Sequence, residues 1–428
     1  MSALPAPPGP LPLLRRAVGL FPLRPAGMLT GLGGLFIFVF YGLLRQDRLL
    51  LVFGAVWLLL WLLCLGAVLS GTILLGWGLS RAPGRALETE SGERVRTGFS
   101  LHLPWFIPLL HLQWSWEYPA EVEVLPDVEG RHYTERVIAR RRGSWSGIRR
   151  LITISDAFGL CAITFPYEQQ RELRFVPAKG RLDRVHVVQG LSGGDAIPQV
   201  EGSPVGDPLD LRAYAPGDPI RYVLWKVYGR SRELVVRTPE RALAPIRRTV
   251  AYLVAGNGDE PAAGAARVAV QGALGQSWTF GADGSEGPAS SAADAMERII
   301  RSADVPLAEG ARGLAAFFST AGGDYRRAVL FVPPRPGPWL DGVKAAMGGS
   351  GLPPQLDFVI CTDGFATPEQ VPRLAPPPEP DPTRPLRTAP EDLRKVLTEL
   401  GKCSSTILVV DRRTGELYHP HQLSKVLA

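Results

Sequence analysis

Guanidinium, carboxylate and indole side chains crowd residues 207–240. The stretch runs Asp207-Pro-Leu-Asp-Leu-Arg212-Ala-Tyr214-Ala-Pro-Gly217-Asp218-Pro-Ile-Arg221-Tyr-Val-Leu-Trp225 and continues through Arg230 to Glu240. A guanidinium is a planar fork that gives a carboxylate two parallel hydrogen bonds. Asp218 lies in the turn composition Ala215-Pro216-Gly217-Asp218 and can take such a bond from Arg212 or Arg221. Trp225 follows Arg221 by four residues, so on a helical turn the two share a face and the cation stacks on the indole. Val235 and Val236 predict a strand leading out toward Glu240. This is chemistry for bracing or recognition. It serves either a latch of ion pairs and aromatic rings between two domains or a docking surface, where Trp and Arg are frequent energetic centres.

Other reactive patterns fall short. Gly337-Pro-Trp-Leu-Asp-Gly342-Val-Lys344 places its lysine out of register for a phosphate cradle and has no hydroxyl after it, so it reads as a strand-to-helix loop. Gly143-Ser-Trp145-Ser-Gly147 has an indole where a nucleophile elbow needs its serine. His419 and His421 form a short pair without cysteine or a paired carboxylate motif, a weak metal set. Cys64, Cys161, Cys361 and Cys403 form no Cys-x-x-Cys pair, which fits a reducing compartment and neither a disulfide framework nor a zinc site.

The elements that would position these groups divide the chain. Residues 1–25 form an N-terminal segment before a helical hairpin over 26–80. Its spans, 26–44 and 49–75, are uncharged and mostly apolar, each long enough for a hydrocarbon core of about 30 Å. Only Arg45-Gln46-Asp47-Arg48 separates them. Arg15, Arg16 and Arg24 precede the hairpin and Arg81, Arg85, Arg94 and Arg96 follow it, a bias that favours cytoplasmic termini. Gly27-x-x-x-Gly31 and Gly66-x-x-x-Ser70 permit close helix approach, within the hairpin or between copies. Alternation in His111-Leu-Gln-Trp-Ser-Trp-Glu117 and Arg149-Arg-Leu-Ile-Thr-Ile-Ser155 predicts a β-sandwich over 92–180. The 205–245 segment follows. Over 246–428, continuously apolar runs beginning at Thr249, Ala328, Asp357 and Ser405 alternate with helical stretches 262–274, 290–302, 307–320 and 390–400. That rhythm predicts a Rossmann-type α/β domain with a mostly parallel sheet. Residues 372–390 are proline-rich and read as an exposed loop.

The order Leu211, Arg212, Tyr214, Gly217, Asp218, Arg221, Trp225, Arg230, Glu240 resembles the signature of the domain of unknown function 58 family. Arg142-Gly143 and Asp156-Ala157-Phe158-Gly159-Leu160 are similar to two further turns of that family, with Ala157 where a proline is usual. The resemblance covers roughly residues 95–365 and implies that the α/β domain is of the von Willebrand factor A type. It also implies a partner, an AAA+ ATPase of the MoxR type, with other von Willebrand A membrane proteins alongside, and a role in maturing an envelope complex. Domains of that type often bind a divalent metal through Asp-x-Ser-x-Ser, because hard cations need clustered oxygens. Here the matching residues are Ala255-Gly256-Asn257-Gly258-Asp259, and Val332-Pro333-Pro334 stands where a later Ser-Asp would align. Asn257, Asp259 and the turn Thr362-Asp363-Gly364 retain oxygens, but no metal or other cofactor is expected.

The chain has 428 residues, 46% of them hydrophobic, and a net charge of +6, which suits membrane segments plus two soluble domains. Its basic residues form no concentrated face with aromatic platforms, so nucleic acid is not an expected partner. Arg140, Arg141 and Arg142, with Arg149 and Arg150, read as a solvated or membrane-facing loop. Taken with the family resemblance, the expected protein is a non-enzymatic adaptor in the cytoplasmic membrane, with the lipid bilayer and, as the resemblance implies, the ATPase as partners. An exported adhesion or ligand-binding module and an uncharacterised hydrolase are the alternatives.

Overall fold

The computed structural model describes residues 19–79, 86–103, 107, 110–182, 208–214, 223–239, 249–272, 278–321, 327–348, 355–365, 387–402 and 406–418. These fall into two compact units, one up to Ala178 and one from Lys179 onward.

The first unit opens with two apolar helices. Helix α1 (Pro25–Phe36) begins on its proline and continues as a π-helical stretch, Ile37–Leu44. Helix α2 (Arg48–Leu79) returns after a short turn, with Asp47 Oδ1 accepting from the amides of Leu49 (3.0 Å) and Leu50 (3.2 Å). The spans Pro25–Leu44 and Arg48–Leu79 are both long and apolar enough to cross a membrane. Helix α2 outlasts the expected end at residue 75, because its last turn is fastened to the β-strands that follow. Leu75 and Leu79 are buried in the strands' core, and Tyr167 donates its hydroxyl to the Leu79 carbonyl at 2.9 Å. The glycines of α1 face two indoles of α2: Trp61 Nε1 donates to Gly27 O (2.8 Å) and Trp57 Nε1 to Thr30 O (3.1 Å). A Cβ on Gly31 would lie 2.8 Å from the Trp61 ring, so this close approach is used inside the hairpin. Around Gly66 there is open space.

Along its second half α2 buries Cys64, Val68, Gly71, Leu75 and Leu79. Leu62, Gly66, Leu69, Ile73 and Trp77 sit two positions earlier in each case, hence on the opposite face of a 3.6-residue helix, and they point outward.

Strands β1 (Leu87–Glu90), β3 (Leu110–Tyr118), β6 (Gly143–Asp156) and β7 (Ala162–Val176) form one sheet, ordered β1-β7-β6-β3. Strands β2 (Val95–His102), β4 (Val122–Glu129) and β5 (His132–Ala139) form another, ordered β2-β5-β4 and antiparallel. Alternate residues from both sheets meet in shared buried clusters, Phe99, Leu101 and Tyr133 with Trp114, Ile152 and Ile154, and Val122 and Val137 with Trp145, Ile148 and Phe175. The basic stretch expected in solvent is only partly there. Arg140 and Arg141 are exposed, but Arg142, Arg149 and Arg150 are buried; the strand phase of β6 turns Arg150 to the same side as Ile148 and Ile152, while Arg149, on the other face, donates to Glu168 at 2.7 Å.

The second unit holds a six-stranded sheet in the order β11-β10-β12-β13-β14-β15. Its strands are β10 (Thr249–Leu253), β11 (Trp278–Ala282), β12 (Arg327–Val332), β13 (Gln355–Thr362), β14 (Thr406–Asp411) and β15 (Leu417–Tyr418). All neighbours pair in parallel except β14 and β15. Two smaller elements precede it: an antiparallel pair, β8 (Pro208–Ala213) with β9 (Val235–Pro239), and between them a short helix, α3 (Trp225–Ser231). The sheet is apolar on both faces. Helices α4 (Glu260–Gly272) and α5 (Ala292–Arg301) contribute to the cluster around Leu253, Phe280, Phe331 and Cys361. Helices α6 (Leu314–Thr320), α7 (Trp339–Met347) and α8 (Pro390–Leu400) contribute to the one around Tyr252, Leu330, Phe358 and Ile360.

The helix expected over 307–320 is broken into a 3-10 turn, Leu307–Glu309, and α6. Gly310 leaves helical backbone at ψ 138° and Ala311 adopts φ 62°. The break lets the Ala311 amide reach Asp283 Oδ2 at 2.7 Å.

Candidate functional site

The stretch singled out for its arginines and indole is built on the β8–β9 pair. Arg212 stands opposite Val236 in the register, and Leu211 opposite Arg237. The Tyr214 amide donates to Leu234 O (2.8 Å) and the Leu224 amide to Val235 O (2.9 Å), so both ends of the connection are pinned to the start of β9. Val223 and Val236 are buried. Helix α3 ends at Arg232, whose backbone is left-handed at φ 55°. Its aromatic rings are open to solvent: Trp225 is 59% exposed, Tyr228 is exposed, and the two rings meet edge to face at 6.2 Å. Arg230 is exposed on the last turn, and Tyr214 is half-buried. Asp218, Arg221 and Glu240 lie outside the described residues, and for Arg212 the strand position is what the structure gives. The expected Arg221–Trp225 stack therefore has one described partner.

The carboxyl edge of the parallel sheet is the second place to look. The connection from β10 runs to β11 on one side, and the chain then crosses to β12 on the other, so a topological switch lies between β10 and β12. Open α/β sheets bind ligands in the crevice there. In this chain the crevice is filled. A Cβ on Gly256 would stand 2.7 Å from Pro333 and 3.0 Å from Trp339, and the buried Trp339 donates Nε1 to the Arg335 carbonyl at 3.0 Å. Gly258, at φ 74°, has the Arg335 side chain 3.4 Å from where its Cβ would be.

Three carboxylates at this edge are already engaged, whereas the buried Thr362 hydroxyl has no hydrogen-bond partner among the described residues. Asp259 Oδ2 accepts from the Gly256 amide at 3.2 Å. Asp283 accepts from the Tyr252 hydroxyl (2.8 Å), the Ala255 amide (2.8 Å) and the Ala311 amide (2.7 Å). Burial raises the Asp283 pKa above the usual carboxylate range, against the pull of the two amides and the hydroxyl. Asp363 takes a two-pronged bond from Arg412, Nε to Oδ1 at 2.6 Å and Nη2 to Oδ2 at 2.5 Å. Burial alone would lower the Arg412 pKa, but the Asp363 carboxylate holds it raised. A guanidinium thus occupies the face of Asp363 that a divalent cation would need. Among the described residues no group of three or more His, Cys, Asp or Glu is placed to hold a metal ion.

An extended polar constellation not foreseen from the sequence lies inside the first unit. Glu135 of β5 is fully buried and accepts five bonds: Thr97 Oγ1 (2.6 Å), Trp114 Nε1 (2.9 Å), Trp116 Nε1 (2.8 Å), and Arg150 Nε (2.9 Å) and Nη2 (2.8 Å). Arg150 also donates to Gln169 Oε1 at 2.8 Å and lies 4.1 Å from the Phe99 ring centroid. Arg171 donates to the Thr97 carbonyl at 2.6 Å, with its pKa lowered by burial and then by Arg150. The Glu135 carboxylate is fully engaged by the Arg150 fork, two indole N–H groups and a hydroxyl, as a stable buried polar network requires, while Arg171 Nε is left without a partner among the described residues. The signal was present: Glu135 shares its strand phase with Tyr133 and Val137, and Arg150 shares its own with Ile148 and Ile152.

Comparison with models of protein families, with curated proteins and with solved structures finds no match to this chain.

Proposed function

We propose that the chain is a membrane-anchored, cytoplasm-facing adaptor of the domain of unknown function 58 type. In this reading the helical hairpin spans the cytoplasmic membrane, the two-sheet unit is a β-sandwich and the parallel-sheet unit is von Willebrand A-like with a disused metal edge. Its partner is a MoxR-type AAA+ ATPase, which it helps to assemble or mature an envelope complex. The observation that carries the reading is the exposure of Trp225 with Tyr228 on a short helix pinned to a strand pair. An indole serving as a buried latch would be covered, whereas an exposed aromatic pair beside Arg230 has the composition of a binding centre. The filled switch crevice and the engaged carboxylates favour an adaptor over a hydrolase.

The test is affinity purification from gently solubilised membranes with ATP present, comparing wild type with Trp225→Ala, each first shown to melt at the same temperature. Enrichment of an AAA+ ATPase by wild type alone supports the adaptor and places the dock on α3. Equal enrichment by both keeps the adaptor and moves the dock. Absence of the ATPase from both, with crosslinker added before solubilisation, overturns the reading. A reporter fused after Ala428 that is active outside the cell would favour the exported module instead.

A further inference from the structure

The turn that ends β6 touches the point where α1 begins. The Arg24 amide donates to Leu160 O at 3.1 Å, the Ala162 amide donates to Pro22 O at 3.0 Å, and Leu23 forms an antiparallel bridge with Cys161. A Cβ on Gly27, in the first turn of α1, would overlap the Leu160 carbonyl. Beside this contact, Cys64 and Val68 of α2 are buried with Cys161 and Ile163. At the level where α1 begins, the β-strands of the first unit are therefore fixed to both apolar helices.

That level has a chemical meaning if the hairpin spans a bilayer. The 20 residues of Pro25–Leu44 cover about 30 Å, the thickness of a hydrocarbon core. The first turn of α1 then lies at the edge of that core, and the turn 156–161, in backbone contact with it, lies there too. At this place the chain exposes apolar rings. Phe158 at the tip is 56% exposed, and Leu20 and Phe21, just before the bridge to Cys161, are exposed as well. The tip is held firmly. Asp156 Oδ1 accepts from the Phe158 amide at 2.7 Å, and Oδ2 accepts from the Cys161 amide. Arg24 brings a cation alongside, its Nη1 3.7 Å from where a Cβ on Gly159 would stand. Apolar rings next to a guanidinium suit the layer where acyl chains meet phosphates.

We propose that the Asp156–Cys161 turn docks the β-strands of the first unit onto the bilayer surface. Phe158, with Leu20 and Phe21, enters the boundary between headgroups and acyl chains, and Arg24 meets the lipid phosphates. The occupant of this apolar patch is lipid, because the patch is continuous with the start of a helix that the proposed function places in the membrane. The docking rests on that spanning reading.

The experiment uses the full chain in lipid nanodiscs, with trifluoromethyl-phenylalanine installed singly at Phe158, at Phe36 in the middle of the α1 span, or at Val128, which is exposed on β4. Fluorine signals are recorded with a nitroxide-bearing lipid and, separately, with a water-soluble gadolinium chelate. Docking predicts that the lipid nitroxide abolishes the signals at Phe158 and Phe36 and spares Val128, while the chelate abolishes only Val128. Loss of Phe36 alone to the nitroxide, with Phe158 behaving like Val128, overturns the docking and leaves the spanning intact. Survival of Phe36 as well as Phe158 removes both. At Phe158 and Phe36 the replacement keeps the benzyl shape, and Val128 is 53% exposed, so the larger ring there extends into solvent and the folded state is retained in each comparison.

Discussion

Glu135 and Arg150 meet inside the first unit with neither side chain exposed, joined through Arg150 Nε and Nη2 while two indoles hold the same carboxylate. Because the pair links β5 of one sheet to β6 of the other, it fixes which faces of the two sheets meet. Removing one partner leaves an uncompensated charge in the interior, whereas removing both is far cheaper. Glu135→Ala and Arg150→Met are each expected to cost about 3–5 kcal/mol. The double variant is expected to lose clearly less than their sum. Chemical denaturation of the four members of the cycle, followed by circular dichroism, measures the coupling. Additive losses would show that the pair does not hold the sheets together.

Arg412 makes a second, testable claim at the edge of the parallel sheet. Its two-pronged bond to Asp363 engages both oxygens of that carboxylate and neutralises its charge. Millimolar magnesium or manganese is therefore expected to leave the melting temperature of wild type unchanged in scanning fluorimetry. Arg412→Ala should lower it, since a buried pair broken on one side costs about 3–5 kcal/mol. Arg412→Lys should recover only part, because an ammonium lacks the planar fork. A rise of several degrees in wild type with either metal would defeat this account.

What could be read before folding depended on period and composition. The apolar runs of the hairpin and of β10, β12, β13 and β14 are long or continuous, so their positions and the parallel character of the sheet were legible. Strand β11, Trp278–Ala282, was not, because Gly281 interrupts its apolar run and it pairs on one side only. The end of α2 was missed because the packing of Leu79 against distant strands prolongs it. The Glu135 network escaped because its members come from five strands. Each polar residue alone reads as solvated, and pairing between distant segments decides otherwise. At α3 the exposure of Trp225 depends on what packs around it, which spacing along a chain does not reveal.

Asp283 gives a pH signature. Its pKa is raised, first by burial, above the unfolded value near 3.9. A raised carboxylate pKa means that the folded chain holds its proton more tightly than the unfolded one. The contribution to stability is therefore complete below the unfolded value and is lost as pH rises through the folded value. Asp283→Asn removes this term. The difference in unfolding free energy between wild type and the variant is expected to shrink as pH is raised from below 4 toward 7. A difference that stays constant over that window, or grows, would count against a raised pKa at this site.

Cys161 reports whether the turn beneath Phe158 stays shut. The thiol is fully buried, and its pKa is pushed up to about 11, by burial first and then by the Asp156 carboxylate. Thiolate is the form that reacts with alkylating agents. At pH 8 in the membrane, iodoacetamide is expected to leave Cys161 unmodified, as it should the equally buried Cys361, whose pKa burial also raises. Both should react fully once the chain is unfolded. A raised thiol pKa contributes stability that is present below the unfolded value and is lost as pH rises through about 11. Mass spectrometry of the digested protein measures each site separately. Modification of Cys161 at pH 8 with Cys361 spared would mean that the turn opens on its own. The backbone bonds from Arg24 and to Pro22 would then not hold the β-strands to the start of α1.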